Sequence, residues 1–216
     1  MDITAIVLMG HHRTIGQTDQ KPPFVAEHAR LVKAYTEGKP VLMGRKTFEL
    51  MGGGIDGSMT YVLTQNPEWR AEGAIPVLDF AAFIKEAFHD GIFDEVVIFG
   101  GAQTFAEAWP WCNKLVMTKF PEAIPGYKKF PLFPSHWTPG YIDNHYQCGE
   151  HEVQQLSYRR DDFYPFPSET PEEKAIVFAI NFARQYRNRQ PLHTGVPYVR
   201  NYVKSSESDH QADGSV

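Results

Sequence analysis

Apolar positions along this chain come in short blocks, not in one continuous rhythm. Residues 3–9 (ITAIVLM), 40–43 (PVLM), 59–64 (MTYVLT), 95–99 (EVVIF) and 114–119 (KLVMTK) are almost continuously apolar. Strands of a parallel sheet covered on both faces read this way, because neither face is left for polar side chains. Between the blocks lie segments of helical character at about 25–36, 46–51, 79–89 and 102–109, the third opened by Asp79 as an N-cap. Strand and helix in alternation predict an α/β fold, a mixed but mostly parallel sheet flanked by crossover helices.

The pattern changes near residue 137. Residues 137–160 (WTPGYIDNHYQCGEHEVQQLSYRR) read as two long strands joined near Gly149, an antiparallel hairpin at the sheet edge. A Pro-rich connector, FYPFPSETP, then leads into TPEEKAIVFAINFARQYRNRQ, where Thr170, Pro171 and Glu173 form a capping box. Ile176, Ile180 and Ala183 make one stripe of this helix (about 171–189), and Phe178, Phe182 and Tyr186 widen it. Such a broad apolar face must be buried, in the chain's own core by default, otherwise in a second copy or a partner. The last segment, 204–216, has almost no apolar content and is expected to be disordered. The chain therefore divides into a domain over 1–162, an extension over 163–203 and a tail.

Composition narrows the classes. The 216 residues suffice for one well-buried domain, and a net charge of -5 argues against a nucleic-acid surface and against docking on an anionic membrane. The opening MDITAIVLMGHH carries Asp2 where a signal peptide would carry positive charge, so it reads as a first strand. Cys112 and Cys148 are the two cysteines and form no CxxC pair, which makes a reducing cytoplasm the expected home. His145, Cys148 and His151 have metal-ligating side chains, but positions 145 and 148 of a strand face opposite ways. They are read as hairpin residues, and no metal is expected.

Candidate chemistry gathers where the apolar blocks end. Ligands of open α/β sheets bind beyond the carboxyl ends of the strands. Three such ends bring polar or glycine residues: Gly44, Arg45, Lys46 and Thr47 after the second block, Thr64 and Gln65 after the third, and Gly100-Gly101 within VIFGGAQTF (97–105) after the fourth. The glycines let backbone approach a ligand closely, and helix starts with flanking cations and a hydroxyl suit a phosphate-rich ligand such as a dinucleotide.

These residues resemble the dihydrofolate reductase family. KPVLMGRKTFE (39–49) looks like its second strand and cofactor-binding helix, and VVIFGGAQTFAEAWPWCNKLVMT (96–118) like its Gly-Gly strand–helix–strand unit. RTIGQ (13–17) resembles the start of its mobile active-site loop, and KKFP (128–131) the approach to its last hairpin. The matches lie in family order over about residues 3–160, and the motifs are fairly specific together although each is short.

The resemblance implies NADPH as hydride donor, a cis Gly100-Gly101 peptide, and a pyrophosphate lying across the helix starts at Gly44 to Thr47 and Gly100 to Thr104, Ala102 and Gln103 included. It places Arg45, Lys46, Thr64 and Gln65 around the 2'-phosphate with Leu63 beside them, and Leu8 and Ile15 at the nicotinamide. Phe99, Ile6, Val32, Met51 and Ile55 would surround the substrate ring. The implied reaction moves a hydride to C6 of a dihydropterin while N5 gains a proton.

Two positions depart from the family. Its buried first-helix carboxylate, supported by a strand threonine that Thr118 matches, falls by register on His28, with Glu27 one residue earlier. Chemistry favours Glu27, since a carboxylate accepts two parallel hydrogen bonds from an amidine. Register favours His28, an imidazole able to serve as general acid. Adjacent helical positions point about 100° apart, so one of the two takes the role, with His28 the preferred reading and Glu27 the alternative.

Ser58 stands where the family's arginine holds the substrate's glutamyl tail, with Lys33 or Arg30 as possible replacements, and Pro23 stands where a loop tryptophan is usual. A dihydrofolate reductase is the leading reading. A same-fold NADPH-dependent reductase of a pyrimidinone or tail-less pterin is the alternative, and a non-catalytic binding module the third.

Overall fold

The computed structural model describes residues 1–16, 25–132, 137–148 and 151–160, with residues 25–27, 138–148 and 151 described by their backbone alone. The expected extension, its helix and the tail lie outside the described residues, as does Pro23. In chain order the elements are β1 (Asp2–Met9), β2 (Thr14–Gly16), α1 (Val25–Thr36), β3 (Pro40–Gly44), α2 (Arg45–Met51), β4 (Met59–Leu63), β5 (Ala74–Val77) and α3 (Phe80–His89). Then follow β6 (Glu95–Gly100), α4 (Ala102–Ala108), β7 (Lys114–Lys119), β8 (Lys128–Lys129), β9 (Thr138–Cys148) and β10 (His151–Arg159).

Eight strands form one sheet in the order β5-β4-β3-β6-β1-β7-β10-β9, and β2 pairs with β8 apart from it. Neighbours from β5 to β7 are parallel, while β10 runs antiparallel to both β7 and β9, the edge hairpin expected over 137–160. The Asp79 carboxylate accepts from Ala82 N–H at 2.9 Å and so caps α3 as expected.

Three strands, β2, β5 and β8, and one helix end differ from the sequence expectation. β5 was not expected, because its four residues (AIPV) contain Pro76; it pairs with β4 alone at the sheet edge, where a missing N–H costs little. α4 ends at Ala108 and passes into a 3-10 turn over Trp109–Trp111, with Pro110 lacking the N–H that an α-helix would continue through.

Alternation along β1 sorts the core into two layers. Ile3, Ala5, Val7 and Met9 pack with Phe80 and Ile84 of α3 and Phe105 and Ala108 of α4, whereas Ile6 packs with Val32 of α1 and Phe48 of α2. The amino ends of β1, β6 and β7 hold a different chemistry. Lys39 pairs with Glu95 at 2.8 Å, Lys114 and Arg159 pair with Asp2, and the Tyr35 hydroxyl donates to Glu95 at 2.7 Å. Burial pushes the Asp2 carboxyl up, but Lys114, Asn113 and Arg159 outweigh it and hold Asp2 at about 2. Glu95 is also lowered: burial opposes ionisation, and Lys114 and Lys39 overcome it.

Candidate cofactor cleft and ring pocket

The chain leaves β3 toward β4 on one side and leaves β6 toward β7 on the other, so two neighbouring strands send their connections apart. That divergence opens a crevice at the carboxyl edge, the place where open α/β sheets bind ligands. The helix starts on either side approach closely because glycines stand there. A Cβ on Gly44 would lie 2.6 Å from Thr104 Oγ1, and one on Gly100, whose φ is +105°, would lie 2.6 Å from the Phe105 ring. The Gly100-Gly101 peptide is cis.

The crevice is a cleft of about 850 Å³. Gly44, Arg45, Lys46 and Thr47 line one wall and Gly101, Ala102, Gln103 and Thr104 another; Leu63, Thr64 and Gln65 enter from β4 and Ile15 from β2. Two expected cofactor residues are not on that lining. Gly100 is buried, and Leu8 is packed with Phe120, Ile124 and Val153. Residues that sequence reasoning missed also line the cleft, among them Asn66, Trp69, Leu78 and Lys128. Lys128 arrives through the β2–β8 pairing with Gly16, a long-range contact that local pattern does not carry.

The polar groups of the cleft are oriented. Arg45 lies 2.9 and 3.1 Å from the two carboxylate oxygens of Glu49, one helical turn on. Thr64 Oγ1 accepts from the Asn66 N–H at 3.2 Å, which leaves its own hydrogen free to donate. Lys46 and Gln65 are exposed.

On the face of the sheet that α1 covers, Leu8 stands opposite Thr118 and Ile6 opposite Val116. His28 and Val32, one turn apart on α1, are both buried there. His28 Nδ1 lies 3.0 Å from Thr118 Oγ1, and the imidazole is nearly parallel to the Phe99 ring at a centroid distance of 6.5 Å. Burial pushes the imidazole down to about 4, so it is neutral near pH 7. In its neutral form the imidazole keeps one N–H and one accepting nitrogen, so it can both donate and accept a hydrogen bond. Ile6, Val32 and Ile55 share one buried cluster, against which Met51 and Phe99 pack, so the five expected ring-pocket residues come together. The Glu27 side chain lies outside what is described.

Ser58 is occupied by its own turn. Its hydroxyl donates to Ile55 O at 2.8 Å and lies 3.4 Å from Thr60 Oγ1. Lys33 reaches Asp56 at 3.4 Å in an exposed pair, and Arg30 is exposed. Among the described residues no group of metal-ligating side chains is gathered, and no helix is long and apolar enough to cross a membrane.

A phosphate-suited cleft at the switch point, on a sheet whose α1 face buries one polar pair, defines an α/β protein of the nucleotide-cofactor class. Residues 2–160 match the family model described as dihydrofolate reductase. The chain is 37% identical over 138 residues to dihydrofolate reductase type 3 of Salmonella typhimurium, covering 62% of this chain and 82% of that protein. It is 30% identical over 142 residues to dihydrofolate reductase of Bacillus subtilis (strain 168), covering 62% and 79%. Among solved structures it is similar to a dihydrofolate reductase from Enterococcus faecalis complexed with NADP(H) and RAB-propyl, with TM-score 0.67, 27% identity, and coverage of 74% of this chain and 97% of that one. The chain belongs to the dihydrofolate reductase family.

Proposed function

We propose that this protein reduces 7,8-dihydrofolate to tetrahydrofolate with NADPH. The observation that carries the reading is the cleft at the β3/β6 switch point, whose facing glycines and oriented cation suit a dinucleotide carrying an extra phosphate. Arg45 and Lys46 would balance the 2'-phosphate, with Thr64 and Gln65 donating to it. Backbone at Gly101 to Thr104 would approach the pyrophosphate. NADPH supplies the hydride that reaches C6 of the substrate.

The chain's own residues orient and shield the reacting ring. Phe99, Ile6, Val32, Met51 and Ile55 enclose it and exclude water. His28 and Thr118 anchor its polar edge by hydrogen bonds. The proton that N5 gains enters at this edge, from His28, from Glu27 or from the medium. The unpaired, buried Cys112 is compatible with a reducing compartment, and we place the protein in the cytoplasm.

One observation favours a second substrate. Ser58 is spent on its turn and Lys33 on Asp56, so tail-less dihydropterins should be accepted with little penalty relative to dihydrofolate. The primary reading is tested with NADPH carrying deuterium at the transferable position. Deuterium at C6 of the tetrahydrofolate formed supports it, whereas product without C6 label, or no product, refutes it.

A further inference from the structure

Cations reach the cleft from two sides. Arg45 and Lys46 come from the β3 side, and Lys128 comes from the far side of β6. There β2, which follows β1, pairs with β8 through Gly16 and Lys128, and Ile15 and Lys128 both line the cleft. The Lys128 ammonium lies over the Tyr127 ring, 4.7 Å from its centroid, and the side chain is half-buried. Among the described residues no carboxylate pairs with it, Glu107 of the same lining included. Arg45, by contrast, already faces both oxygens of Glu49. Lys128 therefore brings an uncompensated positive charge to a cleft built for phosphates.

We propose that Lys128 is the residue that binds the cofactor's bridging diphosphate, a role separate from that of Arg45 and Lys46 at the 2'-phosphate. The proposal rests on the reading that NADPH occupies this cleft. The dinucleotide carries negative charge in two places, on the 2'-phosphate and on the diphosphate between its halves. Arg45 and Lys46 meet the first. Gly101 to Thr104 offer the second backbone and a hydroxyl but no charge. Lys128 is the remaining cation on the described lining, and it stands across the cleft from the 2'-phosphate residues. A lysine suits this place, since a flexible stem carries a compact point charge to a phosphate oxygen without needing one fixed geometry.

The test titrates the full-length protein with NADPH and with NADH by quenching of tryptophan fluorescence, which Trp69 on the cleft lining should report. Lys128→Gln should raise the Kd about tenfold for both dinucleotides and by the same factor, because both carry the diphosphate. Arg45→Gln should weaken NADPH alone. Lys128→Arg should restore most of the affinity, and the loss in Lys128→Gln should shrink at high salt. Adenosine 2'-monophosphate, competing with NADPH, has the 2'-phosphate without the diphosphate, so its Kd should not change in Lys128→Gln. That arm decides the matter if NADH binds too weakly to titrate. A loss confined to NADPH, or shared by adenosine 2'-monophosphate, would overturn the proposal by placing Lys128 at the 2'-phosphate. A loss that Lys128→Arg does not restore, accompanied by a lower Tm, would overturn it in favour of a structural role in β8. Native binding left unchanged by Lys128→Gln would refute the role of Lys128 alone, whereas a native protein that binds neither dinucleotide would refute the underlying reading.

Discussion

At the scale of single residues, the cleft depends on atoms that are missing. A methyl group on Gly44 has nowhere to go but against Thr104 Oγ1. Gly44→Ala should therefore cost roughly 1–3 kcal/mol of stability by overpacking. Thr104→Ala in the same chain should recover much of it, a coupling that urea unfolding of both single variants and the double variant would measure. Arg45 should matter through charge: Arg45→Gln is expected to raise the Kd for NADPH by about tenfold or more, with little change for NADH, as read by fluorescence titration. His28 makes a prediction about pH. Its folded pKa, about 4, lies below the ordinary 6.5, so between those values the unfolded chain takes up the proton and the native one does not. Stability should fall as pH drops through that window and level off below it, by on the order of 3 kcal/mol in all. His28→Gln should flatten this limb, and chemical denaturation at a series of pH values would show it. The register count that pointed to His28 could be made from the sequence because α1 has no interruption between Val25 and Thr36. The burial that makes the imidazole neutral could not, since it depends on Thr118 arriving from β7, 90 residues away.

At the scale of elements, the strands that were legible are those buried on both faces. β1, β3, β4, β6 and β7 announce themselves as apolar blocks because both faces touch helices or neighbours. β5 escaped because an edge strand has little need of that pattern, and β2 and β8 escaped because their pairing is decided by residues more than a hundred positions apart. The same β2–β8 contact brings Lys128 to the cleft, which is why that cation was also missed. The amino ends of β1, β6 and β7 carry an acid-sensitive joint. Asp2, held at about 2, and Glu95, also lowered, stabilise the sheet while ionised. Their contribution is present above the unfolded carboxyl range and is lost as pH falls through their folded values, below about pH 4. Glu95→Gln should cost roughly 2 kcal/mol at neutral pH, since Lys39 and Tyr35 lose a charged acceptor, and should shrink the lowest-pH limb of the unfolding curve.

At the scale of the whole molecule, one sheet separates two kinds of chemistry. Its amino edge is locked by ion pairs, and its carboxyl edge opens where β3 and β6 part. Stability and function are thus placed at opposite ends of the same strands. The extension beyond residue 162 lies outside the described residues, and the sequence expectation for its apolar helix is burial in the chain's own core. Removing it should lower solubility without changing the assembly state, which sedimentation would report. The central claim, reduction of dihydrofolate by NADPH, is tested most directly by steady-state oxidation of NADPH by the purified full-length protein. NADPH should be consumed one for one with added dihydrofolate, and NADH should serve far less well. NADPH that binds but is not consumed when dihydrofolate is saturating would contradict it.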